Sequence, residues 1–245
     1  MKYSIGLIAA GLLSVAGTAY GDAVTATATV VSDYDFRGIT LTSKEPALQI
    51  SVDYAHDSGF YAGIWGSRLN FGDCCHEKAE LDYYTGYAWN TGEDLAWNAY
   101  FIYYTYPSAQ LGGVSFDYPE TNIGLTYKWL GAKLWYSWDY NNTDKEGYYV
   151  DLSGTFPMPQ DFNLVVHGGY SGGDYWSSIN SEYFDYSIGV TKSVGHFNLA
   201  LKFIDGSDAL DGDDTDPGNT YDHDVFSTDS KVFFSVSTTF PWSSK

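Results

Sequence analysis

Residues 132–140 read Ala132-Lys133-Leu134-Trp135-Tyr136-Ser137-Trp138-Asp139-Tyr140. Every even-numbered position is apolar or aromatic, and three of the four odd-numbered ones are Lys133, Ser137 and Asp139. A period of two is the signature of an extended strand whose faces meet different surroundings; a helix would repeat every 3.6 residues. The same phase recurs in Leu48-x-Ile50-x-Val52-x-Tyr54, from Ala79 to Trp89, from Ile123 to Trp129, from Phe197 to Phe203, and from Val232 to Phe240. Across these six stretches, 26 of 28 positions on one face are apolar or aromatic and none is charged. The 22 interleaved positions hold seven charges: Asp53, Glu80, Asp82, Lys128, Lys133, Asp139 and Lys202.

Extended along the chain, this reading predicts twelve strands, at 24–38, 45–56, 59–71, 79–89, 94–106, 120–130, 132–140, 147–156, 161–170, 181–193, 196–204 and 230–240. A soluble β-sandwich also alternates, so the connections must separate the two folds. Odd-numbered connections total 67 residues and even-numbered ones 13. Long loops at one end and tight turns at the other are the threading of an outer-membrane barrel with both termini in the periplasm. Aromatics near strand ends (Trp89, Tyr106, Trp129, Tyr140, Tyr170, Phe240 and Trp242) suit interfacial girdles. Hydrocarbon offers backbone amides no partner, so a spanning sheet must close. The expected fold is therefore all-β, a 12-stranded antiparallel, up-and-down transmembrane β-barrel spanning 22–240, with a short tail at 241–245. The tail is a departure, because such chains commonly end on the aromatic that here is Phe240.

The chain has 245 residues, 31 acidic and 12 basic, for a net charge of -19. With no basic cluster, nucleic acid is excluded as a partner, because phosphates must be met by Lys and Arg. Aromatics at 18% exclude disorder, and a mean hydropathy of -0.25 excludes a helical membrane bundle. Residues 1–21 read as a signal peptide: basic Lys2, the apolar run Ile5 to Ala16, and small residues at Ala19 and Gly21 before a cut ahead of Asp22. The expected location is the bacterial outer membrane, with lipid, lipopolysaccharide and the barrel assembly machinery as partners. Oligomeric state is not readable from these patterns.

A resemblance enters at Val31-Ser32-Asp33-Tyr34-Asp35-Phe36-Arg37-Gly38-Ile39-Thr40, followed by Pro46-Ala47-Leu48-Gln49. It continues through Asp53-Tyr54, Ser58-Gly59-Phe60-Tyr61-Ala62-Gly63, Trp65-x-Ser67, Glu80-Leu81-Asp82-Tyr83-Tyr84-x-Gly86-Tyr87 and Tyr106-Pro107. This segment resembles the TorF-type porin family, earlier described as an uncharacterised outer-membrane family. The resemblance implies a barrel with a channel role for ions or small hydrophilic solutes, and it carries over no catalytic or ligand-binding residues. Cys74-Cys75, the acidic loop 205–229 and the tail depart from it.

If the apolar phase faces lipid, the other phase lines a lumen. Arg37, Asp53, Glu80, Asp82, Lys128, Lys133, Asp139 and Lys202 are the expected pore-lining residues, with Asp33, Asp35, Asp151 and Asp185 as further inward acids. Their surplus predicts preference for cations. Mutual pairing that merely keeps the interior wet is the plainer alternative, and twelve strands permit either a narrow pore or a plugged one. Asp211, Asp213, Asp214 and Asp216 lie in a loop carrying nine acids and no Lys or Arg, a composition open to Ca²⁺ though without EF-hand order; a solvated outer loop is the plainer reading. Adjacent Cys74 and Cys75 could close only a strained disulfide; with His76 and Glu77 they offer soft-metal ligands, and free thiols complete the alternatives. Neither run makes a metal site or other cofactor the expectation. A barrel enzyme of lipase or protease type, built on His167 or His56 with Ser137 or Ser187, and a passive surface or adhesion barrel are the rival functions; no spacing motif links those Ser and His residues, so the expectation is a non-enzyme.

Overall fold

A computed structural model describes residues 22–71, 78–107, 115–207 and 226–242. The calls on Cys74, Cys75, His76, Glu77 and on Asp211, Asp213, Asp214 and Asp216 lie outside the described residues, as do the signal peptide and most of the tail.

Twelve strands form one closed sheet: β1 (Ala23–Val31), β2 (Ala47–Ala55), β3 (Phe60–Arg68), β4 (Ala79–Thr91), β5 (Leu95–Thr105), β6 (Tyr118–Tyr127), β7 (Leu130–Ser137), β8 (Gly147–Met158), β9 (Phe162–Gly172), β10 (Tyr183–Val194), β11 (Phe197–Gly206) and β12 (Lys231–Phe240). Each pairs antiparallel with its sequence neighbour. The seam closes between β1 and β12, from Ala26 opposite Phe240 to Val31 opposite Ser235. An even strand count puts β1's start and β12's end on the same rim. Turns on that rim have two to four residues, and connections on the other have nine to twenty-four.

The sheet is inside out relative to a soluble protein. Outward positions carry large apolar side chains left exposed among the described residues: Val232 is 70% exposed, Phe184 62% and Leu48 51%. An apolar belt running around the whole wall would be untenable in water and is stable only against hydrocarbon. Aromatic stacks bound it at both ends. Trp89 lies on Trp97 with centroids 5.9 Å apart, and Trp242 stacks on His196 at 4.9 Å and on Phe240 at 5.0 Å at the terminal rim. At the loop rim, Tyr170 meets Phe184 at 4.6 Å and Phe101 meets Trp138 at 6.3 Å. Amphipathic rings placed at two levels suit two headgroup layers.

The first strand departs from the sequence expectation. β1 stops at Val31, not residue 38, and residues 32–46 turn back into the barrel. A two-residue ladder, Asp35–Phe36 against Ile39–Thr40, makes the inserted hairpin. Its apex, Arg37-Gly38, takes φ of 55° and 86°, as a two-residue type I′ turn requires. Glycine suits the second position doubly, since a Cβ on Gly38 would lie 2.6 Å from Asp185 Cβ on the far wall. Arginine at the first position costs about 1–2 kcal/mol of backbone strain, so another interaction must hold it there.

Reciprocal Tyr-over-Gly pairs let the wall accept large inward rings. Tyr61 lies opposite Gly86 and Tyr84 opposite Gly63 across β3 and β4, and a Cβ on either glycine would strike the facing ring. Tyr149 fills the space over Gly169 in the same manner. Alternation alone cannot foretell such pairs, because they depend on cross-strand register.

Candidate functional site

The lumen has two different halves. Toward the loop rim, the hairpin packs among Trp65, Tyr100, Tyr104, Trp135, Tyr149 and Tyr183, all buried. Toward the terminal rim, apart from Asp53, the inward positions include small or neutral polar residues (Thr27, Asn98, Thr126, Ser153, Thr191 and Asn198) that are half-buried to exposed, forming a water-accessible vestibule.

Ion pairs pin the hairpin to the wall. The Arg37 guanidinium donates from Nη1 to Glu120 Oε1 at 2.9 Å and from Nη2 to Oε2 at 2.6 Å. It lies 4.7 Å from the Phe36 and Tyr149 ring centroids and 5.0 Å from that of Trp135. A planar fork meeting a carboxylate at two points inside an aromatic cage is the strong form of such a pair, and it accounts for the strained apex. On the opposite side, Lys231 Nζ lies 2.9 Å from Asp33 Oδ2 and 2.9 Å from Asp35 Oδ1. Asp33 also ties the hairpin's own turn, accepting from Thr40 Oγ1 at 2.5 Å and Thr42 Oγ1 at 2.9 Å. At the exposed rim, Arg68 donates to Glu45 Oε2 at 2.7 Å, and this bond holds the Glu45 carboxyl below its usual range.

A third cluster belongs to the wall alone. His167 Nε2 lies 2.8 Å from Asp185 Oδ1, and Nδ1 lies 3.3 Å from Asp151 Oδ2; Tyr149 Oη donates to Asp185 Oδ2 at 2.8 Å. Both imidazole nitrogens face carboxylates, so neither has a serine hydroxyl to activate. His56 bonds Ser58 in an exposed turn. The geometry an enzyme reading needs, a nucleophile joined to a base, is not formed by His167 or His56 with Ser137 or Ser187.

Most residues expected in the lumen point inward. Asp53 accepts from Ser51 Oγ at 2.7 Å and forms a short hydrogen bond with Tyr84 Oη. Glu80 and Asp82 are almost wholly buried two positions apart on β4. Lys133 faces Asp151 across the β7–β8 register. Lys202 is buried beside a cavity of about 50 Å³ that also touches Asp33, Asp35, Gln49, Trp65 and Phe233. Arg37 is in the lumen as part of the inserted hairpin and not of the wall.

Two expectations are corrected. β6 ends at Tyr127, and Lys128 turns the chain toward β7 with φ of 54°; its ammonium, 3.4 Å from Asp94, is exposed on the terminal rim and held above its usual pKa by that carboxylate. β7 ends at Ser137, and Asp139 lies in the following loop, where its Oδ1 accepts the Asp144 N–H at 2.7 Å. Alternation runs on through both residues, but turn geometry removes them from the wall.

The sequence reading missed Glu120 and Lys231. Each sits in the inward phase shortly before the first outward residue from which alternation was counted, Lys231 one position before Val232 and Glu120 three before Ile123, so extending the count by a few residues recovers both. Their partners could not be foreseen, since Arg37 and Glu120 are 83 residues apart.

Charges inside the barrel are sorted around its wall. Glu120, Asp151, Asp185 and the hairpin acids each have Arg37, His167 or Lys231 at hand. On β2–β4, Asp53 is met by hydroxyls, and neither oxygen of Asp82 has a hydrogen-bond partner among the described residues.

Residues 15–240 match the model of a family described as "Bacterial protein of unknown function (Gcw_chp)", and the chain belongs to that family. Among solved structures it is similar to the NanC porin, with a TM-score of 0.56 and 8% identity over 90% of this chain and all of that one. It is also similar to the KdgM porin, with a TM-score of 0.53 and 7% identity over 89% of this chain and 99% of the other. A KdgM porin in complex with disordered oligogalacturonate gives a TM-score of 0.51 at 7% identity, over 90% of this chain and all of that one. At such identities the likeness establishes the fold alone, a closed antiparallel β-barrel. No curated protein matches the sequence.

Proposed function

We propose that the protein is an outer-membrane channel for ions or small hydrophilic solutes with preference for cations. The observation that carries the reading is the acidic sector of β2–β4, where Asp82 faces the packed half of the lumen and Asp53 lies nearer the terminal rim, both without a cation partner among the described residues. Inside low-dielectric walls, uncompensated carboxylates attract cations and repel anions. Likeness to the KdgM and NanC porins supports a channel, and the resemblance to TorF-type porins supports it from the sequence side. The signal peptide, the lipid-facing belt and the short-turn rim together favour an outer-membrane orientation with both termini periplasmic.

The packed hairpin makes the resting channel narrow, so small ions pass more readily than bulky solutes unless the hairpin moves. Refolded protein in a planar bilayer under a KCl gradient tests this. The expected reversal potential has the sign of cation preference, and it moves toward zero when Asp53→Asn, Glu80→Gln and Asp82→Asn are combined. Unaltered selectivity in that variant removes the acidic sector from the mechanism; absence of conductance removes the channel and leaves a surface barrel.

A further inference from the structure

Lys202 on β11 is 9% exposed, and its ammonium has no hydrogen-bond or ion-pair partner among the described residues; Nζ rests 5.7 Å from the centroid of the Phe233 ring on β12. The hairpin acids that could pair with it are already held by Lys231, 2.9 Å from both Asp33 and Asp35. Those two acids nonetheless line the same cavity as Lys202, a space of about 50 Å³ bordered also by Gln49 and Trp65. Such a space has room for roughly three water molecules, and carboxylate, amide and ammonium groups give them partners. Water there solvates the Lys202 ammonium in place of a carboxylate, so its charge is kept despite burial.

The cavity separates the inserted hairpin from the seam side of the wall. Toward the terminal rim that side is built of short side chains. Two positions beyond Gln49, Lys202 and Phe233 on the same inward faces stand Ser51, Ala200 and Ser235. Gln49 lies opposite Thr29, both half-buried, and Thr27 of the vestibule follows two residues along β1. Strands β3 to β7, by contrast, send Tyr61, Tyr84, Tyr100 and Trp135 into the lumen. A hydrated ion leaving the vestibule therefore meets the least bulk on the seam side.

We infer that ions cross the packed half through this gap between hairpin and seam, and that Lys202 is the specificity-determining residue there, holding down the cation preference that the acids create. The assignment rests on the channel reading and adds to it a route and an opposing charge. Around the gap, Asp33 and Asp35 are balanced by Lys231 and Lys202. Loss of the lysine that no carboxylate holds leaves the passage negative, and a single charge counts heavily between low-dielectric walls.

Reversal potentials of refolded protein in a planar bilayer under a KCl gradient at fixed pH provide the test. Lys202→Gln should raise the potassium-to-chloride permeability ratio severalfold, Lys202→Glu should raise it further, and Lys202→Arg should keep the wild-type value. Gln49→Glu places a negative charge on the other side of the same cavity and should also raise the ratio, which carries the test if the Lys202 variants fail to assemble. Lys192→Gln is the control: Lys192 shares a register position with outward-facing Leu199, its Nζ lies 4.2 Å from the Phe162 centroid, and its loss should leave the ratio unchanged. A conducting barrel with the same ratio in wild type, Lys202→Gln and Gln49→Glu overturns the route and the residue while leaving the channel. An equal rise in Lys192→Gln overturns the assignment as well, since overall charge would then be the cause. A barrel silent in bilayers removes the channel itself, and the role of Lys202 with it.

Discussion

The two halves of the lumen are built from the same strands and the same alternation, yet one is packed with rings and ions and the other is open. The difference lies in what each rim supplies. Turns of two to four residues at the terminal rim have no chain to spare, so Thr, Ser and Asn on the inner wall stay in contact with water. The fifteen residues between β1 and β2 are long enough to fold inward, and large rings on β3 to β10 meet them. A wall thus becomes a core where a loop enters it. The entry itself depends on charge pairs that cross the barrel.

Removing the hairpin should break this contrast most severely. Replacement of residues 33–42 by a short Gly-Ser linker is expected to raise single-channel conductance severalfold, because the vestibule would then run through to the loop rim. An unchanged conductance would mean that another element closes the pore. Glu120→Ala comes next, since it leaves Arg37 charged in an aromatic cage. Breaking a buried pair by deleting one partner typically costs about 3–5 kcal/mol, so the unboiled barrel should unfold at a clearly lower temperature. The double variant Arg37→Ala/Glu120→Ala should lose less than the sum of the two singles.

His167→Ala acts on the wall and not the hairpin. It leaves Asp151 and Asp185 facing each other, and cation preference in bilayers should increase as a positive partner is lost. A shift toward anions would contradict the pairing. In the vestibule, Ser153→Ala or Thr126→Val should change stability by less than about 0.5 kcal/mol, a negligible effect beside that of Glu120→Ala. The smallest effect is the pH response of the rim tether. Glu45 is held below its usual pKa by Arg68, so its contribution is present above the ordinary carboxylate range and fades as pH falls through the lowered value. Since the pair is exposed and screened, acidification should loosen the base of the hairpin slightly, and Arg68→Gln should flatten that part of the pH profile of channel noise.

Strand number, the lipid-facing phase and the asymmetry of the connections were legible because each is a local or statistical property of the chain. Alternation from Ala132 to Tyr140 states which face is greasy wherever the strand ends, which is also why it misplaced Asp139. Lys128 was misplaced for the same reason: period two does not register a residue at positive φ. The hairpin was read as a continuation of β1, because Asp33-Tyr34-Asp35-Phe36 alternates as well as any strand in the wall.

What the order of residues determined by itself was therefore a closed sheet with an apolar outside, since the bilayer tests every outward position independently of the others. Only the tertiary structure decided that Arg37 meets Glu120, that Lys231 takes both hairpin acids, and that Asp82 is left without a hydrogen-bond partner among the described residues. Those outcomes depend on groups far apart in the chain meeting where water is scarce, and in that setting each charge is fixed by the few neighbours that closure of the barrel brings to it.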